Sequence, residues 1–240
     1  EESLLEGLTR DAWQKTCQQL LPDVVQISPE SFLEYSLPLQ RRVLRFAVSR
    51  ILPDLRDLSF EVVERSLDFL NAQRYGQVDV VDGVTINIDI DHWFLLNRGG
   101  SVPLTEFPQI AEDQKIDLPT TGQVELGWGW CVCSEIVKGP LPSFNESQTK
   151  IYLDADLWKG EVVIRRWRWG EQFQPFGMAG KSVKLSDYFT NQHTPRRARL
   201  GWPVVAVGDR IIWVVGKRSA EIGRIFPETR QIICLELLQR

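Results

Sequence analysis

The chain has 240 residues, of which 43% are hydrophobic and 25% charged, so it can bury a sizeable core and has the composition of a globular protein. Its formal net charge is −4, and no apolar run approaches the roughly 20 residues that cross a bilayer, which argues against a membrane-spanning helix. The four cysteines fit neither a disulfide framework nor a zinc site, and no secretory leader precedes them, so we expect a soluble, cytoplasmic protein.

Charge is distributed unevenly along the chain. Residues 1–158 carry 13 Lys and Arg against 25 Asp and Glu, a net −12, whereas residues 159–240 carry 15 against 7, a net +8. A difference of this kind predicts two domains, the second of which is the candidate for an anionic partner such as nucleic acid. Because the chain opens inside a helical pattern without an initiator methionine, we expect it to be a piece of a longer protein.

The segment 1–75 is predicted to be helical. Apolar residues recur every three to four positions in several stretches that begin or end at serine and proline. Ser59 is expected to cap the last stretch, since Leu58 and Val63 can form a hydrophobic staple around it. The predicted helices cover residues 4–21, 29–33, 37–52 and 60–71.

The third helix has a basic face that includes Arg41 and Arg45. These arginines are possible secondary phosphate contacts, although a basic helix face is usually only solvated. We keep both interpretations.

From Gln77 the apolar period changes to two, which predicts strands. Asp82-Gly83 lies between two alternating runs and indicates a hairpin, whose second strand is expected to continue to Leu96. The polar face of that strand holds Asn87, Asp89 and Asp91, which could suggest a cation site. Hard cations need ligands that converge from several directions, whereas the solvent face of a strand explains these residues with nothing added, so we predict no metal.

The second half of the predicted N-terminal domain is β-rich. Residues 99–122 are interpreted as a loop and residues 124–132 as a strand, and residues 139–150 have linker composition. We therefore predict a domain at residues 1–150, helical over 1–75 and β-rich over 76–150, and a second domain at 151–240. The predicted fold class is α+β, with a mainly antiparallel sheet in the second domain.

The second domain is predicted to contain strands, a hairpin, a glycine-bearing turn and a short helix at 184–189. Strands are expected at 151–153, 161–169 and 231–238, with a hairpin around Gly208-Asp209. The tract at 175–182 resembles a phosphate-binding P-loop through Gly180-Lys181-Ser182. Pro175 stands where the first glycine of such a loop belongs, and no long helix pattern follows, so the tract is better interpreted as a tight turn.

Arginine and lysine are concentrated in this half among tryptophans. Guanidinium and ammonium groups bind RNA phosphates, and aromatic rings can stack on exposed bases. We expect His193 to be a surface residue, and we assign no catalytic residue. The candidate RNA-binding residues are Arg165, Arg166, Arg168, Lys181, Lys184, Arg196, Arg197 and Arg199.

A succession of short motifs in the second domain is distinctive. They are Arg166 and Arg168, Gly170-Glu171-Gln172-Phe173, Pro175-Phe176-Gly177-Met178, Gly180, Lys184-Leu185-Ser186-Asp187, Pro195-Arg196, Trp202-Pro203 and Ile212-Trp213-Val214-Val215-Gly216. Over about residues 153–238, and more loosely at Leu39–Arg45, they resemble the motifs of the tRNA(Ile)-lysidine synthetase family, which usually has aspartate where Glu171 stands. The resemblance implies that the RNA-binding candidates are tRNA contacts.

The resemblance implies the substrate-binding and C-terminal domains of an enzyme that joins lysine to the wobble cytidine of a minor isoleucine tRNA. That enzyme consumes ATP, with magnesium, and its catalytic domain carries Ser-Gly-Gly-x-Asp-Ser, which no segment of this chain matches. We therefore expect this chain to position tRNA(Ile) by its acceptor stem and body, without a cofactor and without catalysis of its own. The implied partners are the catalytic domain of the same polypeptide and, in the whole enzyme, a second copy in a homodimer.

Two other functions remain open at the level of the sequence. One is a protein-interaction module that uses its tryptophan-rich faces, and the other is a nucleotide-binding enzyme that uses Gly180-Lys181-Ser182.

Overall fold

A computed structural model of the chain describes residues 2–55, 57–73, 75–137 and 147–240. The chain divides into two compact units, Glu1–Pro103 and Leu104–Arg240. Within the described residues, no helix combines the length and apolarity that crossing a membrane requires. The helices and antiparallel sheets confirm the predicted α+β class.

The first unit places four helices on a five-stranded antiparallel sheet of order β1-β2-β5-β4-β3. Phe32 and Trp93, which meet edge to face at 5.6 Å, join the helical layer to the sheet. The helices are α1 (Glu2–Thr16), α2 (Pro29–Leu33), α3 (Leu37–Ile51) and α4 (Phe60–Asn71). The strands are β1 (Cys17–Leu21), β2 (Val24–Ile27), β3 (Gly76–Val81), β4 (Val84–Ile88) and β5 (Trp93–Leu96).

Three local predictions for this unit are confirmed. The helices α2, α3 and α4 lie where their apolar spacing placed them, and the Ser59 hydroxyl accepts a hydrogen bond from the Val62 N–H at 3.4 Å. Asp82 and Gly83 both have positive φ, at 47° and 83°, as a tight hairpin turn requires. Local chemistry is sufficient to specify these features.

The all-helical prediction for the segment 1–75 is wrong, because two strands lie within it. α1 ends at Thr16 and not at Pro22, and the next five residues form β1. In the part of the chain that the structure describes, β1 pairs only with β2, whose other partner is β5. A strand of four or five residues that depends on a partner as distant in sequence as β5 leaves little local signal.

The strand predicted to run on to Leu96 is in fact two strands. The chain reverses at residues 89–92, where the Asp89 N–H donates to the His92 carbonyl at 3.0 Å, and β5 then pairs antiparallel with β4. Asp89 and Asp91 consequently lie outside β4 and do not continue the face that carries Asn87.

The second unit contains two antiparallel sheets, a two-stranded ribbon of β11 and β12, and two short helices. The first sheet has the order β15-β14-β13-β10-β6 and the second the order β7-β8-β16-β9. The elements are β6 (Lys115–Asp117), β7 (Gly122–Glu125), β8 (Trp130–Val137), β9 (Lys150–Asp154), β10 (Val162–Arg166), β11 (Gln172–Phe173), β12 (Val183–Lys184), α5 (Leu185–Asn191), α6 (Arg196–Arg199), β13 (Pro203–Val207), β14 (Arg210–Val214), β15 (Arg218–Ser219) and β16 (Ile232–Gln239), with 3₁₀ turns at Ala155–Lys159 and Glu221–Gly223.

The first sheet of this unit is covered on both faces. One face packs against the second sheet through an apolar cluster that includes Trp213 and Leu235. Val204, Ile211 and Val214 on the opposite face pack against α5 and α6 through Phe189 and Ala198. The unit is therefore layered as sheet, sheet and helices.

The structure divides the chain at residue 103 and not at the predicted residue 150. The reason is strand pairing, since β6 pairs with β10 and β8 pairs with β16 along its whole length. Much of the linker predicted at 139–150 lies outside the described residues. The predicted loop at 99–122 contains β6, and the predicted strand at 124–132 is a hairpin of β7 and β8.

The new boundary changes the charge balance of the two units. Residues 1–103 carry 10 Lys and Arg against 16 Asp and Glu, a net −6, and residues 104–240 carry 18 against 16, a net +2. Acidic residues at 106–117 therefore share a unit with the predicted RNA-binding cations. Some of those cations find their counterions there.

Candidate nucleic-acid interface

Glu171 organises the turn that leads from β10 to β11, here called the Glu171 turn (residues 167–171). Its carboxylate accepts two hydrogen bonds from Arg165, at 2.6 and 3.2 Å, and a third from the Arg168 N–H at 2.7 Å. The side chains of Arg165 and Glu171 are only 6% and 16% exposed. Arg165 was predicted to bind tRNA, but its burial and pairing indicate a structural role.

The Glu171 turn presents one cation and one aromatic ring to solvent. The Arg168 guanidinium is exposed and lies 3.9 Å from the Asp209 carboxylate. Trp169 is 84% exposed. Trp167 points inward instead, where its indole N–H donates to the Arg199 carbonyl at 2.5 Å and its ring meets Phe189.

Lys184 lies beside this turn. β12 pairs with β11 so that Lys184 is opposite Gln172, and the Leu185 N–H donates to the Glu171 carbonyl at 2.9 Å. Strand pairing therefore brings Lys184 close to the segment that carries Arg168, although a whole loop separates the two cations in sequence. Both side chains are exposed.

Lys181 belongs to the loop that resembles a P-loop. This loop is fixed by the Gly177 N–H, which donates to the Glu221 carboxylate at 3.1 Å, and by the Arg218 guanidinium, which donates to the Phe176 carbonyl. It leads into a two-residue strand and the seven-residue α5. A strand followed by a long helix, which a P-loop requires, does not occur here.

The arginines of α6 are placed in three different ways. Arg196 is exposed, whereas Arg197 lies over the Phe107 ring and 3.6 Å from the Glu106 carboxylate. Arg199 donates to the Thr194 carbonyl at 2.8 Å and to the Thr190 hydroxyl at 2.9 Å, so it ties α6 to α5.

A groove of about 530 Å³ opens next to Trp169. Arg166, which lies in its lining, forms an ion pair with Glu112 at 3.2 Å. Acidic, amide, cationic and apolar side chains all contribute to this surface. The lining residues are Glu112, Asp113, Gln114, Lys115, Arg165, Arg166, Trp167, Arg168, Trp169 and Leu200.

The eight predicted RNA contacts fall into two groups, those that already have a partner within the protein and those that are exposed and weakly paired. Arg165, Arg166 and Arg197 are paired with carboxylates, and Arg199 bonds to α5. Of the eight, the residues that combine exposure with weak or absent pairing within the described parts of the chain are Arg168, Lys181, Lys184 and Arg196, here called the exposed cations.

The two secondary candidates belong to the other unit and are also engaged. Arg41 forms a two-pronged ion pair with Glu64 at 2.7 and 2.8 Å, and this hydrogen bonding lowers the pKa of the Glu64 carboxyl. Arg45 pairs with Asp57 at 3.0 Å and donates to the Leu58 carbonyl. Both arginines link α3 to the segment around α4.

Lys217 is a cation of this region that the sequence did not single out. Its ammonium lies 4.6 Å from the centre of the Trp202 ring. Burial, and to a lesser degree the nearby charge of Arg199, lowers the pKa of Lys217 to about 8.

Comparison with known proteins gives a consistent result. Residues 162–234 match the family described as the TilS substrate C-terminal domain. The tRNA(Ile)-lysidine synthase of Geobacter sulfurreducens is 26% identical over 242 residues, which cover 100% of this chain and 49% of that protein. The tRNA(Ile)-lysidine synthase of Dehalococcoides mccartyi is 26% identical over 215 residues, which cover 89% of this chain and 44% of that protein. That of Solibacter usitatus is 31% identical over 193 residues, which cover 79% of this chain and 42% of that protein.

A crystal structure of a TILS C-terminal domain is 23% identical, with a TM-score of 0.46, and the match covers 52% of this chain and 96% of that one. The resemblance predicted from the sequence motifs is confirmed by the family match and the relatives. The chain spans a little under half the length of the curated relatives it matches.

Proposed function

We propose that this chain, a relative of the tRNA(Ile)-lysidine synthases along nearly its whole length, is the part of such an enzyme that holds and positions tRNA. The observation that carries the proposal is the group of exposed cations, which belongs to the segment that matches the TilS substrate C-terminal domain. RNA phosphates are the partner that these side chains fit best.

The pairing of each cation determines its expected contribution. An exposed ammonium or guanidinium can neutralise a phosphate and release a counterion at little cost. Arg166 and Arg197 would first have to leave Glu112 and Glu106, so they are expected to contribute less. Duplex RNA is recognised mainly through its shape, phosphates and 2′-hydroxyls, which agrees with cations on turns and short helices.

In the whole enzyme, lysine would be joined to the wobble cytidine of tRNA(Ile) at the expense of ATP, as the resemblance to the lysidine synthetases implies. Adenylation, with its magnesium, would take place in a domain that carries the Ser-Gly-Gly-x-Asp-Ser motif, which these 240 residues do not contain. The partners proposed for this chain are therefore tRNA(Ile), that catalytic domain and, in the whole enzyme, a second copy, in the cytoplasm.

Titration with tRNA(Ile) at increasing salt tests the proposal. Lys184→Ala and Arg196→Ala should each weaken binding and make the slope of log K against log salt shallower by roughly 0.7 to 0.9, because each removes one phosphate contact. Arg230→Ala is the matched control, since Arg230 is also exposed and has no carboxylate partner within the described residues, but lies in the loop before β16. Unchanged affinity and slope in both test variants would show that the assignment is wrong.

The same preparation distinguishes the two alternatives. ATP should not bind, because the loop with Gly180-Lys181-Ser182 is followed by a two-residue strand and not by a long helix. If the chain did not bind tRNA in a salt-sensitive way, a protein-interaction module would instead be favoured.

A further inference from the structure

We propose that Trp169 and the groove beside it bind a single unpaired nucleobase, specifically one that carries an exocyclic amino group. This inference rests on the proposed function, since it names the part of the RNA that this site takes. It adds base recognition to a surface otherwise expected to contact only phosphates.

Trp169 is presented to solvent on a turn whose flanking residues, Arg168 and Glu171, are hydrogen-bonded to each other. It is 84% exposed although large aromatic side chains are normally at least partly buried. The Glu171 turn holds its backbone, and its ring lies 5.9 Å from that of Trp167 at an angle of 39°. Trp167 is itself buried and bonded to Arg199, so the exposed ring is supported from beneath. An exposed indole that rests against a buried ring is a suitable stacking surface for a base.

The groove next to this ring has the size of a small-molecule site. Its volume of about 530 Å³ lies within the roughly 300 to 1,000 Å³ typical of ligand pockets. Trp169 and Leu200 supply its exposed apolar surface, since both side chains are mostly accessible. A nucleobase matches this groove, because it has a flat, apolar face and polar edges.

The groove lining offers hydrogen-bond acceptors to a base. Three of its four cations already pair with carboxylates, Arg165 with Glu171, Arg166 with Glu112 and Lys115 with Glu161. Asp113 lies in the same lining, and its carboxylate can accept hydrogen bonds from amino groups. Adenine, cytosine and guanine carry such amino groups, whereas uracil does not. Gln114 can donate to the ring nitrogens or carbonyls of the same base. The groove therefore fits an amino-bearing base.

Arg168 completes the site at its rim. Its guanidinium is exposed and belongs to the same turn as Trp169. A nucleotide stacked on the indole would place its own or the neighbouring phosphate within reach of this cation. Base and phosphate would then be held by adjacent residues.

The test compares three RNA hairpins with the same stem, using the whole chain described here. One hairpin is blunt, one has a short unpaired 3′ extension of adenosines, and one has an equal extension of uridines. The adenosine extension should strengthen binding about fivefold or more over the blunt hairpin. Trp169→Ala should remove this advantage, while Trp169→Phe should keep part of it.

Trp128→Ala is the matched control, because Trp128 is also exposed, at 51%, but lies on the turn between β7 and β8. It should preserve the advantage of the extension. Equal binding of the blunt and adenosine hairpins, with both still salt-sensitive, would overturn the base site and leave the proposed function intact. Equal binding of the adenosine and uridine hairpins would overturn the amino-group assignment. Loss of salt-sensitive binding to all three would overturn both proposals.

Discussion

Glu171 stabilises the turn that carries both Arg168 and Trp169. Its carboxylate satisfies a nearly buried arginine and a backbone N–H at once. Removing one partner of a buried ion pair leaves an uncompensated charge and costs about 3 to 5 kcal/mol. Glu171→Gln should therefore lower the free energy of unfolding of the second unit by about 3 kcal/mol, measured by urea denaturation.

Glu112→Gln is the comparison for this prediction. Its partner Arg166 is half-buried but Glu112 itself is exposed, and such surface pairs contribute at most about 1 kcal/mol. A double variant, Arg165→Met with Glu171→Leu, should recover much of the loss because no buried charge remains. If Glu171→Gln cost no more than Glu112→Gln, the buried pair would not hold the turn.

Lys217 makes stability depend on pH in a defined direction. Its pKa is about 8 in the folded protein, below the value of about 10.4 for an unperturbed lysine. As the pH rises, the folded state therefore releases this proton before the unfolded state does. Below pH 8 the charged, buried ammonium lowers the free energy of unfolding by its full cost, and this cost is absent above the unfolded pKa. Lys217→Met should raise the melting temperature relative to the parent protein at pH 7, and the gain should diminish at pH 10.

Thermal unfolding of both proteins at the two pH values measures this difference. All other titratable groups are common to the two proteins, so their contributions cancel in the comparison. A gain that is equal at pH 7 and pH 10 would show that Lys217 is not titrating below its usual range.

At the scale of elements, the predictable features are those whose cause is local. The hairpin at Asp82-Gly83 and the hairpin around Gly208-Asp209 each join two strands that are neighbours in sequence. Besides the two-residue strands β11, β12 and β15, the strands that escaped prediction are β1, β2 and β6, which are three to five residues long. β2 and β6 each pair with a strand that lies much further along the chain. Their stability comes from the partner, so their own residues show no clear period.

The candidate site follows the same rule. Composition draws attention to the arginines and lysines of residues 165–199, because residue types are visible in a sequence. Which of them face solvent depends on counterions that are distant in the chain, such as Glu112 for Arg166 and Glu106 for Arg197. Pairing of this kind could not be predicted from spacing, and it changes the expected contribution of each cation.

At the scale of the whole molecule, net charge is a poor guide to RNA binding. The net charge is −4 for the whole chain and only +2 for the second unit, because that unit contains the acidic residues at 106–156 as well as the basic ones. A local group of exposed cations can still attract a phosphate, since charges beyond about 10 Å are screened at about 0.1 M salt. The salt dependence of binding should accordingly reflect a few contacts and not the total charge.

The division at residue 103 predicts which part of the chain folds alone. A fragment of residues 104–240 should unfold cooperatively in urea, whereas a fragment of residues 151–240 should not. The second fragment lacks β8, which pairs with β16 over its full length, and β6, which pairs with β10. It also lacks Val132, which is fully buried in the cluster between the two sheets. Cooperative unfolding of residues 151–240 at the midpoint of the longer fragment would instead place the boundary at residue 150.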